Sequence, residues 1–145
     1  MEYYEVKVRY QRETGDGKMQ KVNETYLIEA VSHGDAEKRV LEEIKPFVFA
    51  GMEIKIPSIK IVNFNEVITN PQGHFWYKAK VVLTTVDEEA GKEKKITTSI
   101  LVQDVNIDGA TAAVNNLMKT AITDYSITNI QETGIMDVLS LIKNA

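Results

Sequence analysis

The chain has 145 residues, 43% of them hydrophobic and 26% charged, with 17 basic against 21 acidic side chains and a net charge of −4. That is the balance of one ordinary soluble domain able to build a core unaided, and it speaks against a broad cationic footprint for duplex nucleic acid. There is no cysteine, which excludes disulfides, thiolate zinc sites, iron–sulfur clusters and cysteine nucleophiles. Two histidines, His33 and His74, are too few for a histidine-rich metal site. The start, Met1-Glu2-Tyr3-Tyr4-Glu5, lacks the basic and apolar stretches of a secretory signal, and no apolar run approaches the ~20 residues of a membrane span. A cytosolic protein without a membrane segment is therefore expected.

Residues 3–12 alternate, with Tyr4, Val6, Val8 and Tyr10 on one side and Tyr3, Glu5, Lys7 and Arg9 on the other, which predicts a half-buried strand. Gly15-Asp16-Gly17-Lys18 follows. It looks faintly like a phosphate-binding turn, but it lies between two strands and reads as a hairpin tip. A second strand is expected over about 20–31. Ser32, with Asp35 three residues on, then forms a shortened capping box. The helix it opens carries Ala36, Val40 and Ile44 on one stripe and ends at Pro46. A third strand runs from Ile54 to Phe64, where Pro57 points to an edge position or a bulge.

The same order then recurs. Tyr3-Tyr4-Glu5-Val6-Lys7-Val8 corresponds to Trp76-Tyr77-Lys78-Ala79-Lys80-Val81, and the polar tip to Glu88-Glu89-Ala90-Gly91-Lys92. Tyr26 to Val31 corresponds to Ile100 to Val105, and Ser32 to Asn106. The second helix stripe is Ala110, Val114, Leu117, Met118 and Ala121, the next strand Tyr125 to Gln131, and the endings Glu66-Val67-Ile68 and Asp137-Val138-Leu139 match. The offset is 73 from Tyr3 to Trp76 and 74 from Ser32 to Asn106, a one-residue change across the second hairpin. A lone ββαβ unit has one helix for three strands and is marginal. The expected fold is therefore α+β: two ββαβ repeats related by a pseudo-twofold axis, with mainly antiparallel sheet packed against helices. They would form a single domain over 1–145, with half-repeats at about 1–70 and 74–145 joined by the turn Asn70-Pro71-Gln72-Gly73.

A search for catalytic patterns returns little. No Walker loop and no nucleophile elbow is present. Neither His33 nor His74 has a carboxylate arranged beside it in sequence as an orienting partner. Asp87-Glu88-Glu89 and Asp35-Glu37 lack the spacing of a calcium loop and read as a solvated hairpin and a first helical turn. The expectation is a protein that is not an enzyme and uses neither cofactor nor metal. The informative feature is the outer face of the first strand in each repeat. If Tyr4 and Tyr77 point to the core, Tyr3 and Trp76 point away from it, with Lys7, Arg9, Lys78 and Lys80 beside them. Rings that stack on bases and cations that meet phosphates suit a nucleotide or single-stranded nucleic acid. The other reading is a protein–protein contact, homodimeric or with a host factor. Leu27 and Leu101 fall at equivalent places on the same face and would join Tyr3 and Trp76 in it.

Several stretches carry a resemblance to a known family. They are Tyr-Glu-Val-Lys-Val at 4–8, Phe75-Trp76-Tyr77-Lys78-Ala79-Lys80-Val81, Asp87-Glu88 and Gly91-Lys92-Glu93-Lys94-Lys95. Ile100-Leu101-Val102-Gln103 and Ile130-Gln131-Glu132-Thr133-Gly134-Ile135-Met136-Asp137-Val138-Leu139 extend it over most of the chain. Together they resemble a domain-of-unknown-function family of small proteins found in Bacteroidetes-type bacteria and their phages. The resemblance implies a cytosolic bacterial or phage accessory protein and transfers no catalytic residue.

Overall fold

A computed structural model describes residues 2–121 and 123–140. Met1, Ile122 and residues 141–145, which the expected 1–145 span includes, lie outside the described residues. In chain order the elements are β1 (Glu2–Glu13), β2 (Met19–Ala30), α1 (His33–Ile44), a 3₁₀ turn (Lys45–Phe47), β3 (Lys55–Val62) and β4 (Glu66–Ile68). They continue with β5 (Phe75–Asp87), β6 (Lys92–Asp104), α2 (Ile107–Met118), β7 (Asp124–Glu132) and β8 (Ile135–Leu139). The chain is α+β, and it divides into two compact units, one of residues 1–63 with 134–145 and the other of residues 64–133.

The first unit is a four-stranded sheet in the order β3-β1-β2-β8, with α1 on one face. β1 and β2 pair antiparallel from Glu2 opposite Ala30 to Glu13 opposite Met19. β3 runs along the other side of β1 as an edge strand, and its register breaks between Ser58 opposite Lys7 and Lys55 opposite Arg9. Pro57 sits in that break, where its missing N–H interrupts no ladder bond. Ser32 caps α1 by accepting from the Asp35 N–H at 3.1 Å, and Asp35 reaches back to accept from the Val31 N–H. Ala36, Val40 and Ile44 of α1 pack on Tyr4, Val6, Val8, Tyr10, Val22, Tyr26 and Ile28 from the alternate positions of β1 and β2. This is the face the alternation assigned to the core.

The second unit has its own four-stranded sheet, in the order β4-β6-β5-β7, with α2 against Tyr77, Ala79, Val81, Ile100 and Val102. Asn106 caps α2 through the Gly109 N–H at 2.8 Å. Gly73 is fixed by a close approach: a Cβ there would lie 2.6 Å from the Asp104 Cα.

Two features depart from the expected sheets. The endings Glu66–Ile68 and Ile135–Leu139 are strands, and they pair parallel, β4 on β6 and β8 on β2. Each sheet is thus antiparallel along three strands and parallel at one edge. Parallel neighbours cannot be joined by a hairpin, and β8 reaches β2 only after the whole of residues 64–133 has intervened. The boundaries between units accordingly fall at 63/64 and 133/134, not at the Asn70–Gly73 turn.

Candidate functional site

In the first unit, the sheet face opposite α1 carries Tyr3, Glu5, Lys7, Arg9 and Gln11 from β1. Directly opposite on β2 are Glu29, Leu27, Thr25, Asn23 and Lys21. β3 adds Val62, Lys60, Ser58 and Lys55 across from Tyr3, Glu5, Lys7 and Arg9. Lys7, Arg9, Lys21, Lys55 and Lys60 are all exposed, and Tyr3 is half-buried. Arg9 is held in place: its Nε donates to the Asn23 Oδ1 at 2.9 Å. Lys60 lies 3.6 Å from Glu5. The expected trio Tyr3, Lys7 and Arg9 therefore shares one sheet face, and two of its members are open to solvent.

The equivalent face of the second unit is different. Trp76 is only 3% exposed, so its ring is closed to an incoming base, contrary to the expectation of an outward stacking platform. Lys78 is half-buried, with its Nζ 5.9 Å from the Phe64 ring centre, a cation–π geometry that directs it along the protein surface. Lys80 alone of the expected three is exposed. Leu27 and Leu101 are 0% exposed within the single chain and offer no surface to a second protein. Alternation correctly assigned these side chains to the helix-free face. The inference that this face is open fails, because burial depends on what covers a face and not on its phase.

The face against α1 holds a polar cluster the sequence reading did not pick out. Glu24, a buried carboxylate, accepts from the Tyr10 hydroxyl at 2.5 Å and from the Tyr26 hydroxyl at 3.3 Å. Burial, then the bond and charge of Glu24, push the Tyr10 hydroxyl up to about 12, and burial pushes Tyr26 up as well. The alternation of Val22, Glu24, Tyr26 and Ile28 was a signal, since it places a carboxylate on an apolar face. With two hydroxyl donors and, among the described residues, no basic side chain bonded to it, the cluster is a satisfied structural network.

The remaining candidates resolve as local structure. His33 is exposed at the start of α1, its ring edge-on to Tyr4 with centroids 4.9 Å apart, and His74 is exposed beside the Asn70–Gly73 turn. The Gly15–Lys18 tip closes on itself, with the Thr14 N–H donating to the Lys18 carbonyl at 2.7 Å and the Thr14 hydroxyl to Asp16. That hydroxyl, followed by the Lys18 N–H, holds the Asp16 carboxyl below the usual carboxylate range. Asp87 likewise accepts from the N–H groups of Glu89 and Ala90 within its own turn. A pocket of about 490 Å³ lies between α1 and the segment leading to β3, lined by Leu41, Val48, Phe49, Met52 and Ile54. Among the described residues Lys45 is its one ionisable lining residue, and they present no acid–base pair there. Among the described residues no group of three or more His, Asp or Glu side chains is placed to hold a metal ion, and no helix is long and apolar enough to cross a membrane.

A small two-unit α+β chain with a cationic sheet face and structural polar networks is the class the geometry defines. Comparison with family models places it further: residues 2–141 match the domain of unknown function DUF4494, and the chain belongs to that family. No curated protein matches the chain.

Proposed function

We propose that this chain is a non-enzymatic binding protein that takes an anionic ligand, a nucleotide or single-stranded nucleic acid, on the helix-free face of β3-β1-β2. Lys7 and Arg9 are its phosphate contacts and Tyr3 its one ring. The observation that carries this reading is Arg9. Asn23 fixes the guanidinium by its Nε, which leaves the two terminal nitrogens for the paired contacts a phosphate accepts. The reading includes two ββαβ repeats of common origin, supported by matching strand orders and the steady sequence offset. In it, the ligand site is the part of the first repeat's outer face, beyond the buried Leu27, where Lys7 and Arg9 are exposed, and Trp76, Lys78 and Lys80 have left the site. The setting that goes with it is an accessory role in the cytosol of a bacterium or in phage infection.

Fluorescence anisotropy of a labelled oligothymidylate at low salt tests the proposal. Lys7→Glu with Arg9→Glu should abolish binding, and Lys80→Glu should leave it nearly unchanged. No binding by the native chain, or equal loss from Lys80→Glu, would overturn it.

The second reading, a protein-interaction module, no longer rests on Leu27, Trp76 and Leu101. Its support is Phe47, 61% exposed on the segment after α1, with Met52 also exposed nearby in sequence. Light scattering separates the versions. A homodimer that Phe47→Ser dissociates supports it, and a monomer at every concentration removes the homodimeric form.

A further inference from the structure

Of the six residues expected at the site, Tyr3, Lys7 and Arg9 share one strand, and the sheet register adds three more cations to them from two neighbouring strands. Lys60 stands opposite Glu5, Lys55 opposite Arg9 and Lys21 opposite Gln11. From the Glu5 level to the Gln11 level the array runs six residues along β1, about 20 Å at ~3.4 Å per residue, and it is three strands wide. Arg9 and Lys55 face each other directly, an arrangement that destabilises a sheet when nothing lies between the charges. Glu5 is the acid within the array, and Lys60 engages it. In a chain with net charge −4, five cations gathered on one sheet face are a marked departure from the average surface.

We infer that the ligand is a single strand of nucleic acid, followed along its phosphates by Lys7, Arg9, Lys21, Lys55 and Lys60, and not a free nucleotide. This rests on the function proposed above and narrows it. A mononucleotide reaches only part of an array about 20 Å long. A flexible strand lays successive phosphates across all five. A rigid duplex fits less well, because β1, β2 and β3 meet it with a sheet face, whereas groove readout uses a helix or a two-stranded ribbon. A carboxylate accepts the paired donors of Arg9 as a phosphate does, so a polyglutamate probe separates an acidic peptide from a nucleic-acid strand. Tyr3, half-buried at one end, is the one ring on the face, so base stacking adds little. Binding should therefore be nearly blind to sequence and steep in salt.

The test uses the full chain with thymidine monophosphate, thymidine oligomers of about 4 to 16 nucleotides, which span known single-strand site sizes, a duplex of the longest oligomer, and polyglutamate. Affinity should rise with oligomer length and then level off. With five phosphates neutralised, log Kobs should fall against log salt with a slope of about −3.5, and Lys21→Ala or Lys55→Ala should each flatten it by about 0.7. Both lysines are exposed, and thermal melts matching the native chain confirm that the variants fold. Monophosphate binding as tight as the longest oligomer would overturn the inference while leaving the anionic-ligand reading intact. Polyglutamate or duplex binding as tight as the single strand would do the same. Failure of every probe would overturn both.

Discussion

Replacing Tyr10 with Phe removes one hydroxyl and leaves the ring, so it isolates the bond to Glu24. Both residues are buried, and the native contact is 2.5 Å. A hydrogen bond to a charged acceptor contributes about 1.5–3 kcal/mol net, and Glu24 keeps its second donor, Tyr26, in the variant. Tyr10→Phe should therefore cost about 1.5–3 kcal/mol, a fall in Tm of about 2–4 °C per kcal/mol for a chain of this size. Glu24→Ala should cost more, because it strands two buried hydroxyls at about 1–3 kcal/mol each. Urea denaturation followed by circular dichroism measures both. The pH dependence supplies an independent sign. The folded Tyr10 value, about 12, lies above the ordinary 10.0, so this contribution is complete below pH 10 and is lost as pH rises toward 12. Tyr10→Phe should shrink that alkaline loss. A Phe variant as stable as the native chain, or a Glu24→Ala variant milder than Tyr10→Phe, would refute the reasoning.

Spectrophotometric titration should find Tyr10 and Tyr26 still protonated well above pH 10, ionising only near or with unfolding, since burial and Glu24 raise both. Gly73→Ala should lower stability by about 1–3 kcal/mol, because the new Cβ meets the Asp104 backbone at 2.6–2.7 Å and backbone cannot yield as a side chain does; an unchanged melt would contradict that approach. Trp76→Ala and Tyr77→Ala, at neighbouring positions on opposite faces of β5, should both cost about 3–5 kcal/mol, since both side chains are buried. A tolerant Trp76→Ala would restore the open aromatic face.

Much of the fold follows from local rules that act within a dozen residues. The alternation of Tyr4, Val6, Val8 and Tyr10 marks the face of β1 that meets α1, and Ser32 and Asn106 mark both helix starts. Pro57 marks the edge strand and its register break. The parallel edges were not legible. Three residues of β4 are too few to show a period, and β8 finds β2 across more than a hundred residues of sequence. The candidate site divides the same way. Lys7 and Arg9 could be placed on one face from their own strand, but Lys21 joins them only through the β1–β2 register and Lys60 and Lys55 only through the β1–β3 register, where the break at Pro57 sets the place of Lys55. Trp76, Leu27 and Leu101 misled because a strand's period tells which side a residue takes and not what covers that side.

The most direct test of the proposed ligand face is to titrate the isotopically labelled chain with unlabelled oligothymidylate and follow every backbone amide by NMR. The account predicts shifts concentrated at Lys7, Arg9, Lys21, Lys55 and Lys60 and their strand neighbours in β1, β2 and β3, with β5 and β7 quiet. Shifts centred on Trp76 and Lys80, or none at low salt, would contradict it.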